Sequence, residues 1–499
     1  MNHQDTKTRR ILGTVSAIVL ALSFQVGRPA AQPYLGNGIK IGEVSATTAK
    51  VWVRLTATPD RNRDGIPWGT GDVPHRPGNP NSPDRKKMET TTSDDPYFRQ
   101  VPAGKTLWDM ADGVQGAPGF VRLTCGSEDE GEQQVGWVQV SPDEDFTTQF
   151  DLFGLKPGTR YSLAVEASGT PESDISALLE SSFRTAPAPE EEGRVSFTVV
   201  TGSRWKTMDH PDGHKIYVHM RALKPSFFVH TGDIVYYDHL HPYATHIDLA
   251  RFRWTRMYSL PRIVAFHNEI PSYFIRDDHD TWQNDCWPGM MPFMGNFTLE
   301  EGQSVFAEQT PVVGKTYRTF RWGKDLQVWM TEGRDYRSPN TMPDGPDKTI
   351  WGAEQMAWFR RTVLESDATF RMLISPSPIV GPDHKGKLDN HSNKNFTYEG
   401  DLIRSFMAEQ NMIIVCGDRH WQYTSEDTRT GLPEYSCGPT TDRHATMVDN
   451  EDLSMIKYVA AIGGFLSVTV ERVDGTPRAV FRHHDVNGNV VNEEVRVAE

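Results

Sequence analysis

At 499 residues the chain is too long for a single hydrophobic core, which predicts two or three domains. A content of 37% hydrophobic and 24% charged residues describes a globular protein and excludes a coiled coil or a wholly disordered chain. A formal net charge of -14 excludes a protein that coats nucleic acid or anionic membrane, since both need basic patches. Small anions remain as partners, but an acidic protein that works on them needs bound cations to invert the potential at its site.

Residues 1–31 begin with the basic leader MNHQDTKTRR, continue through an apolar run from Ile11 to Val26 and end near the small residues of GRPAAQ. This pattern predicts a signal peptide, because the run is shorter than the roughly 20 residues that span a bilayer. Arg9 and Arg10 resemble a twin-arginine export signal. The expected location is therefore periplasmic or extracellular, with no stable membrane insertion after cleavage.

Residues 32–185 read as an all-β region. Ala49, Val51, Val53 and Leu55 alternate with polar neighbours, the period of a half-buried strand. Further strands follow in FTTQFDLF, in RYSLAVEASG and in ALLESSFRTAP. Leu155, Pro157, Gly158 and Tyr161 resemble the tyrosine corner of fibronectin-type and immunoglobulin-like sandwiches. A polar insertion at about 59–119 interrupts these strands. Within it Asp60, Asn62, Asp64 and Gly65 copy the start of a calcium loop, but the twelfth position is Gly71 and not glutamate, so a solvated turn is the simpler reading. The proline- and acid-rich segment 186–193, APAPEEEG, reads as a linker.

From 194 to 499 apolar strands alternate with helices, the grammar of an α/β domain. Strands are expected in RVSFTVVTG, PSFFVHTGD, FRMLIS and MIIVCGD, helices in KIYVHMRAL, AEQMAWFRRTVLES and EGDLIRSFMAEQ, and a hairpin that turns at Asp474-Gly475. Cys125, Cys286, Cys416 and Cys437 are too scattered for a disulfide scaffold. Cys416 and Cys437 read either as a pair or as small buried hydrophobes.

Polar clusters follow the apolar strands, at TGSRW, HTGDIVYYD, FIRDDHD and CGDRHW, and so converge on one edge of the sheet. One carboxylate at a strand end is usually a cap or a turn former. Three clusters, Asp233, Asp278 with His279, and Asp418 with His420, point instead to cations held by oxygen and imidazole.

The series GD, DDHD with Asn284, and GDRH resembles the alkaline phosphatase D (PhoD-like) branch of the calcineurin-like metallophosphoesterases. RDYRSP (334–339), GAEQMAWF (352–359) and SCGPTT (436–441) look like segments of that family in the same order. The resemblance implies a four-layer metallophosphoesterase-like α/β sandwich preceded by an immunoglobulin- or fibronectin-like β-sandwich. It also implies two or more metal ions, iron and calcium, acting on small-molecule or polymer phosphate esters. Asp233 would bridge two positions, Tyr236 would bind the ferric ion, and Asp278, Asn284, Asp418 and His420 would complete the ligands. A readied water would attack phosphorus while protonated His279 assists the leaving oxygen.

Two departures from the family qualify this. Ser203 and Arg204 stand where the family has a Ser-Cys pair, which leaves zinc or manganese open and makes Arg204 a candidate clamp for a substrate oxygen or a surface ion-pair partner. The superfamily histidine before the last motif is absent, with Ser375 and Ser377 in its place and His384 and His391 in the loop that follows. Alternative readings are hydrolysis of another oxyanion ester, such as a sulfate ester, and a surface-binding protein that has lost its metal.

Overall fold

The computed structural model describes residues 32–69, 100–129, 131–239, 241–292, 294–312, 314–449 and 453–498. The leader and about half of the polar insertion, residues 70–99 with Gly71 included, lie outside the described residues. Asn62 serves the fold: its side-chain amide donates to the Trp108 carbonyl at 3.0 Å.

Three sheets build the molecule. A nine-stranded sheet runs in the order 490–497, 476–484, 465–473, 195–200, 227–230, 272–274, 39–42, 48–54, 147–153. A seven-stranded sheet runs 318–322, 326–330, 370–375, 413–416, 433–437, 422–426, 456–460, and a four-stranded sheet runs 131–139, 120–127, 160–168, 177–184. The middle strands of the two larger sheets are parallel. Parallel strands need cover on both faces, and their sequences are accordingly continuous apolar runs. Phe227 and Val229 face the other sheet, where they join Val328, Met372, Ile374 and Val415 in one core. Phe228 faces outward to Tyr217, Trp254 and Phe266 on the helices Ile216–Ala222, Ile247–Met257 and Pro261–His267. On the far side Leu373 and Ile414 pack under the helices Gly352–Leu364 and Thr397–Glu409. Helices, sheet, sheet and helices thus form four layers.

The hairpin forms as its sequence predicts, with Asp474 (φ 50°) and Gly475 (φ 80°) between Val473 and Thr476. Its first strand extends the nine-stranded sheet by pairing with Val195–Val200.

The link at 186–193 does not interrupt the hydrogen-bonded sheet. Gly42 pairs with Ser272, so the strands Ile39–Gly42, Thr48–Arg54 and Thr147–Phe153 continue the nine-stranded sheet and close an edge that the three-residue strand Ser272–Phe274 would otherwise expose. Their inner residues Ile41, Val51, Val53 and Phe150 share a core with Val121, Leu123, Leu163 and Phe183 of the four-stranded sheet. At the corner between strands the Tyr161 hydroxyl accepts a hydrogen bond from the Lys156 backbone at 2.9 Å. All four cysteines are unpaired and buried, and the Cys437 thiol donates to the Cys416 carbonyl at 3.5 Å.

Candidate metal centre

Each polar cluster leaves the carboxyl end of a strand: residues 201–204 after Val195–Val200, 231–238 after Phe227–His230, 275–279 after Ser272–Phe274, and 417–420 after Ile413–Cys416. Because the strands are parallel within each sheet, these ends meet at one rim of the molecule. The chain turns there so sharply that Asp233, Tyr236, Asp285 and Asp418 hold φ of 60°, 52°, 53° and 61°. Left-handed backbone at non-glycine residues persists where the surroundings enforce it, and such positions cluster at functional sites. Gly232 makes the rim tight, since a Cβ there would stand 2.5 Å from the Asp277 backbone nitrogen.

Tyr236 lies at the centre. Its hydroxyl donates to Asp233 Oδ2 at 2.7 Å, and His420 Nε2 and His444 Nε2 stand 3.1 and 3.2 Å from the same oxygen. His420 Nε2 is also 3.3 Å from Asp233 Oδ2. Asp233, Asp278 and His279 bring one ligand atom each to within 4.8 Å of one another, and Asp278, Asp285 and Asp389 form a second such group. Asp278 is common to both. Asp233 Oδ1 and Asp278 Oδ1 are buried and have no hydrogen-bond partner. A buried carboxylate oxygen without a donor is expensive, and two that border shared groups are what a cation site requires. The residues present therefore fit metal ions.

Charges beyond this centre set the protonation of His279 and its neighbours. His279 Nδ1 meets Asp238 Oδ1 at 2.6 Å, and Asp238 Oδ2 accepts the Asn284 backbone N–H at 2.8 Å. Burial disfavours charge on His279, but Asp238, Asp278 and Asp233 overcome it and lift the imidazole to about 10. Asp238 is held down at about 2: burial opposes its charge, and His279 outweighs burial. Burial pushes Asp233 up, and it pushes the Tyr236 phenol well above its ordinary range with Asp233 adding to the effect. Burial alone would raise Asp278 too, but His279, Arg334 and Lys387 leave it well below the usual carboxylate range.

The remaining candidates from the sequence are distributed as follows. The Asp418 carboxylate forms an ion pair with Arg419, whose Nη1 also holds Asp383 at 2.6 Å, while the Asp418 backbone N–H donates to Thr201 Oγ1 at 3.2 Å. Asn284 sits half-buried beside Asp238. Arg204 lies over the Tyr236 ring, 5.1 Å from its centroid, with Nη2 3.1 Å from His239. Among the described residues no carboxylate lies within 4.0 Å of its guanidinium, so Arg204 is not a surface ion-pair partner. His384 pairs with Asp449 at 2.7 Å and His391 with Glu399 at 2.9 Å, so each is engaged elsewhere.

Sequence reasoning did not reach four members of this region. Asp238 carries no motif, though its place five residues after Asp233 on the same strand-end loop is a signal. Asp285 and Asp389 stand where Lys387 and Arg334 converge, with Lys387 Nζ 2.6 Å from Asp285 and Arg334 Nη2 3.2 Å from Asp389. His444 lies in a one-turn 3-10 helix, Asp442–His444, just after SCGPTT, and only the strand-end rule applied to Pro433–Cys437 would have pointed to it.

Comparison with known proteins agrees with this architecture. The PhoD-like phosphatase family model matches residues 197–452. No curated protein matches the chain. Among solved structures, one described as PhoD superposes with a TM-score of 0.68 at 14% identity, covering 95% of this chain and 92% of that one. A purple acid phosphatase, PPD1 from yellow lupin (Lupinus luteus) seeds, gives 0.59 at 11% identity, covering 92% of this chain and 73% of that one. At these identities the superpositions speak for the fold, and the family match, which spans more than half of the 499 residues, speaks for descent: the chain belongs to the PhoD-like phosphatases and is a metal-dependent phosphatase of that family.

Proposed function

We propose that the protein hydrolyses phosphate monoesters or diesters at two cation positions that share Asp278 and meet Asp233. The observation that carries the proposal is the pair of buried, unpartnered oxygens, Asp233 Oδ1 and Asp278 Oδ1, on carboxylates whose ligand atoms lie within 4.8 Å of one another. Oxygen and imidazole donors around Tyr236 suit iron, manganese or zinc, and the free oxygen of Asp278 suits a neighbouring calcium. Such ions supply positive charge for the phosphoryl oxygens and acidify water.

The chain's own groups do the rest. Asp233 and Asp278 fix the cations. Arg204, free of a carboxylate partner, offers its planar fork to a non-bridging oxygen of the ester. Asp238 takes up His279 Nδ1, which leaves Nε2 to deliver a proton to the departing oxygen. Asn284, Asp418 and His420 belong to the proposed ligand set by resemblance. Export through the leader at 1–31, and an immunoglobulin- or fibronectin-like fold for 32–185, are part of the same proposal. The Tyr161 corner supports the latter. No described helix is long and apolar enough to cross a membrane.

The test compares wild type with Asp233→Asn on p-nitrophenyl phosphate, bis-p-nitrophenyl phosphate and p-nitrophenyl sulfate. Hydrolysis of a phosphate ester should fall by at least about 10²-fold in the variant. Undiminished turnover would overturn the assignment, and preference for the sulfate would replace it with the sulfatase reading.

A further inference from the structure

Where the resemblance implies a cysteine after Ser203, this chain has Arg204. Arg204 cannot replace it as a donor, because a guanidinium has only N–H groups and no free lone pair. The rim nevertheless presents an additional donor near the Tyr236 phenol. His444 arrives from the carboxyl end of Pro433–Cys437, four per cent exposed, with its ring 3.9 Å from that of His420, centroid to centroid.

Counting hydrogens defines what His444 does there. Its Nδ1 lies 3.0 Å from the Gly202 carbonyl oxygen, which is an acceptor only, so Nδ1 carries the hydrogen and the Nε2 of the neutral ring carries a lone pair. That lone pair points at the Tyr236 oxygen, 3.2 Å away. The phenol has a single hydrogen, and Asp233 Oδ2, at 2.7 Å, is the nearest acceptor. Lone pair therefore faces lone pair with no proton between them. A cation relieves such a contact.

Spacing supports the same reading. Donors about 2.0–2.2 Å from one ion are separated by about 3.0–3.5 Å along the edges of its coordination polyhedron. The separations from the Tyr236 oxygen to His420 and His444, and from Asp233 Oδ2 to His420, are 3.1, 3.2 and 3.3 Å, while the ligand atoms of Asp233, His420 and His444 do not all come within 4.8 Å of one another, so the Tyr236 oxygen is the centre of the set. The carbonyl behind His444 is the outer partner that ligating imidazoles use to fix tautomer and ring orientation. Gly202 is also the residue that admits both rings. It holds φ of +59°, and a Cβ there would stand 3.0 Å from His420 and 3.2 Å from His444.

We propose that His444 is a ligand of the cation facing Tyr236, so that this chain holds that ion with Asp233, Tyr236, His420 and His444. This rests on the phosphatase centre proposed above and deepens it. Such a site offers nitrogen and oxygen donors alone, with no soft sulfur.

Co²⁺ titration of the metal-stripped full-length protein, followed by visible absorption, tests the proposal. Wild type should bind Co²⁺ with d–d bands and no thiolate-to-metal charge-transfer band. His444→Ala and His444→Gln should each weaken the site by about 10²-fold or more and alter the d–d bands, while their metal-free melting curves match that of metal-free wild type. Matching metal-free curves show that the variants fold. Wild-type affinity and spectrum in both variants would overturn the His444 assignment while leaving the phosphatase centre standing. Failure of wild type itself to bind Co²⁺ would instead remove the proposed centre and the inference with it.

Discussion

Replacing Asp238 by asparagine isolates the carboxylate that holds the proton on His279. The lift of His279 from 6.5 to about 10 corresponds to about 5 kcal/mol of preference for the charged ring. Three carboxylates share it, and cations at Asp233 and Asp278 would cancel two of them, which leaves Asp238 to keep the imidazole protonated in the loaded enzyme. A charge-assisted hydrogen bond contributes about 1.5–3 kcal/mol, equivalent to about one to two pH units at His279. In the proposed mechanism His279 acts in its protonated form, so activity should fall as pH rises through its pKa, and loss of the carboxylate should move that alkaline limb downward. The asparagine oxygen still accepts the Asn284 N–H, which keeps the loop in place. The measurement is kcat against pH with p-nitrophenyl phosphate. Asp238→Asn should shift the alkaline limb down by about one to two pH units and lower kcat by about 10–100-fold at pH values above the wild-type limb. An unmoved limb with kcat within twofold of wild type would refute the pairing as a source of catalysis.

Other perturbations separate scaffold from site. Removing the cations with a chelator should lower the melting temperature, since ions present at about 100 times their Kd stabilise by about 2.7 kcal/mol; calorimetry that shows no change would speak against occupied sites. Gly202→Ala should weaken Co²⁺ binding at least about tenfold by pushing on His420 and His444, and an unchanged titration would show that the rings have room to give. Glu434 accepts the backbone N–H groups of Ile379, Val380 and Gly381 at 2.7, 2.9 and 2.7 Å and the Tyr423 hydroxyl at 2.7 Å, so Glu434→Ala should cost about 3–5 kcal/mol in urea denaturation. Tyr161→Phe deletes the hydroxyl that accepts the Lys156 N–H at the β corner and should cost about 1–2 kcal/mol, with no effect on kcat.

The parts of this molecule that a sequence reveals are those set by local pattern. Continuous apolar runs such as FFVH and MIIVC announced buried parallel strands, and Asp-Gly at 474–475 announced its turn, because solvent exclusion on two faces and left-handed backbone each restrict residue choice at short range. Asp233, Tyr236, Asp278 and His279 were visible for the same reason, since each follows such a strand within a few residues. Pairing between Gly42 and Ser272 was not visible. Nothing in either segment encodes a partner 230 residues away, and the sheet joins there because each strand supplies the other with an edge. Asp389 and His444 were hidden likewise. Their roles come from convergence of strand ends in space, and a lone histidine after a polar turn reads as solvated until Gly202 is found beside it.

How an acidic protein comes to hold an anionic ester follows from which buried charges are left over. Arg334 pairs with Asp277 at 2.6 Å and with Asp389 at 3.2 Å, Lys387 pairs with Asp285, and His279 pairs with Asp238. Arg334 reaches Asp278 only at 3.9 Å, and no Lys or Arg lies within 4.0 Å of Asp233 among the described residues. Those two carboxylates therefore each keep one buried oxygen without a hydrogen-bond donor, at one rim. Two divalent or trivalent ions there more than cancel the pair, and with Arg204 already free of a carboxylate the local field becomes positive over a surface that is otherwise negative. Electrostatic attraction of the substrate is thus coupled to metal occupancy: the apo-protein should repel phosphate, and inorganic phosphate should bind measurably only after the cations. Isothermal titration of phosphate into apo- and metal-loaded protein reads this directly, and equal affinity in both states would mean that Arg204 and its neighbours, not the ions, recognise the anion.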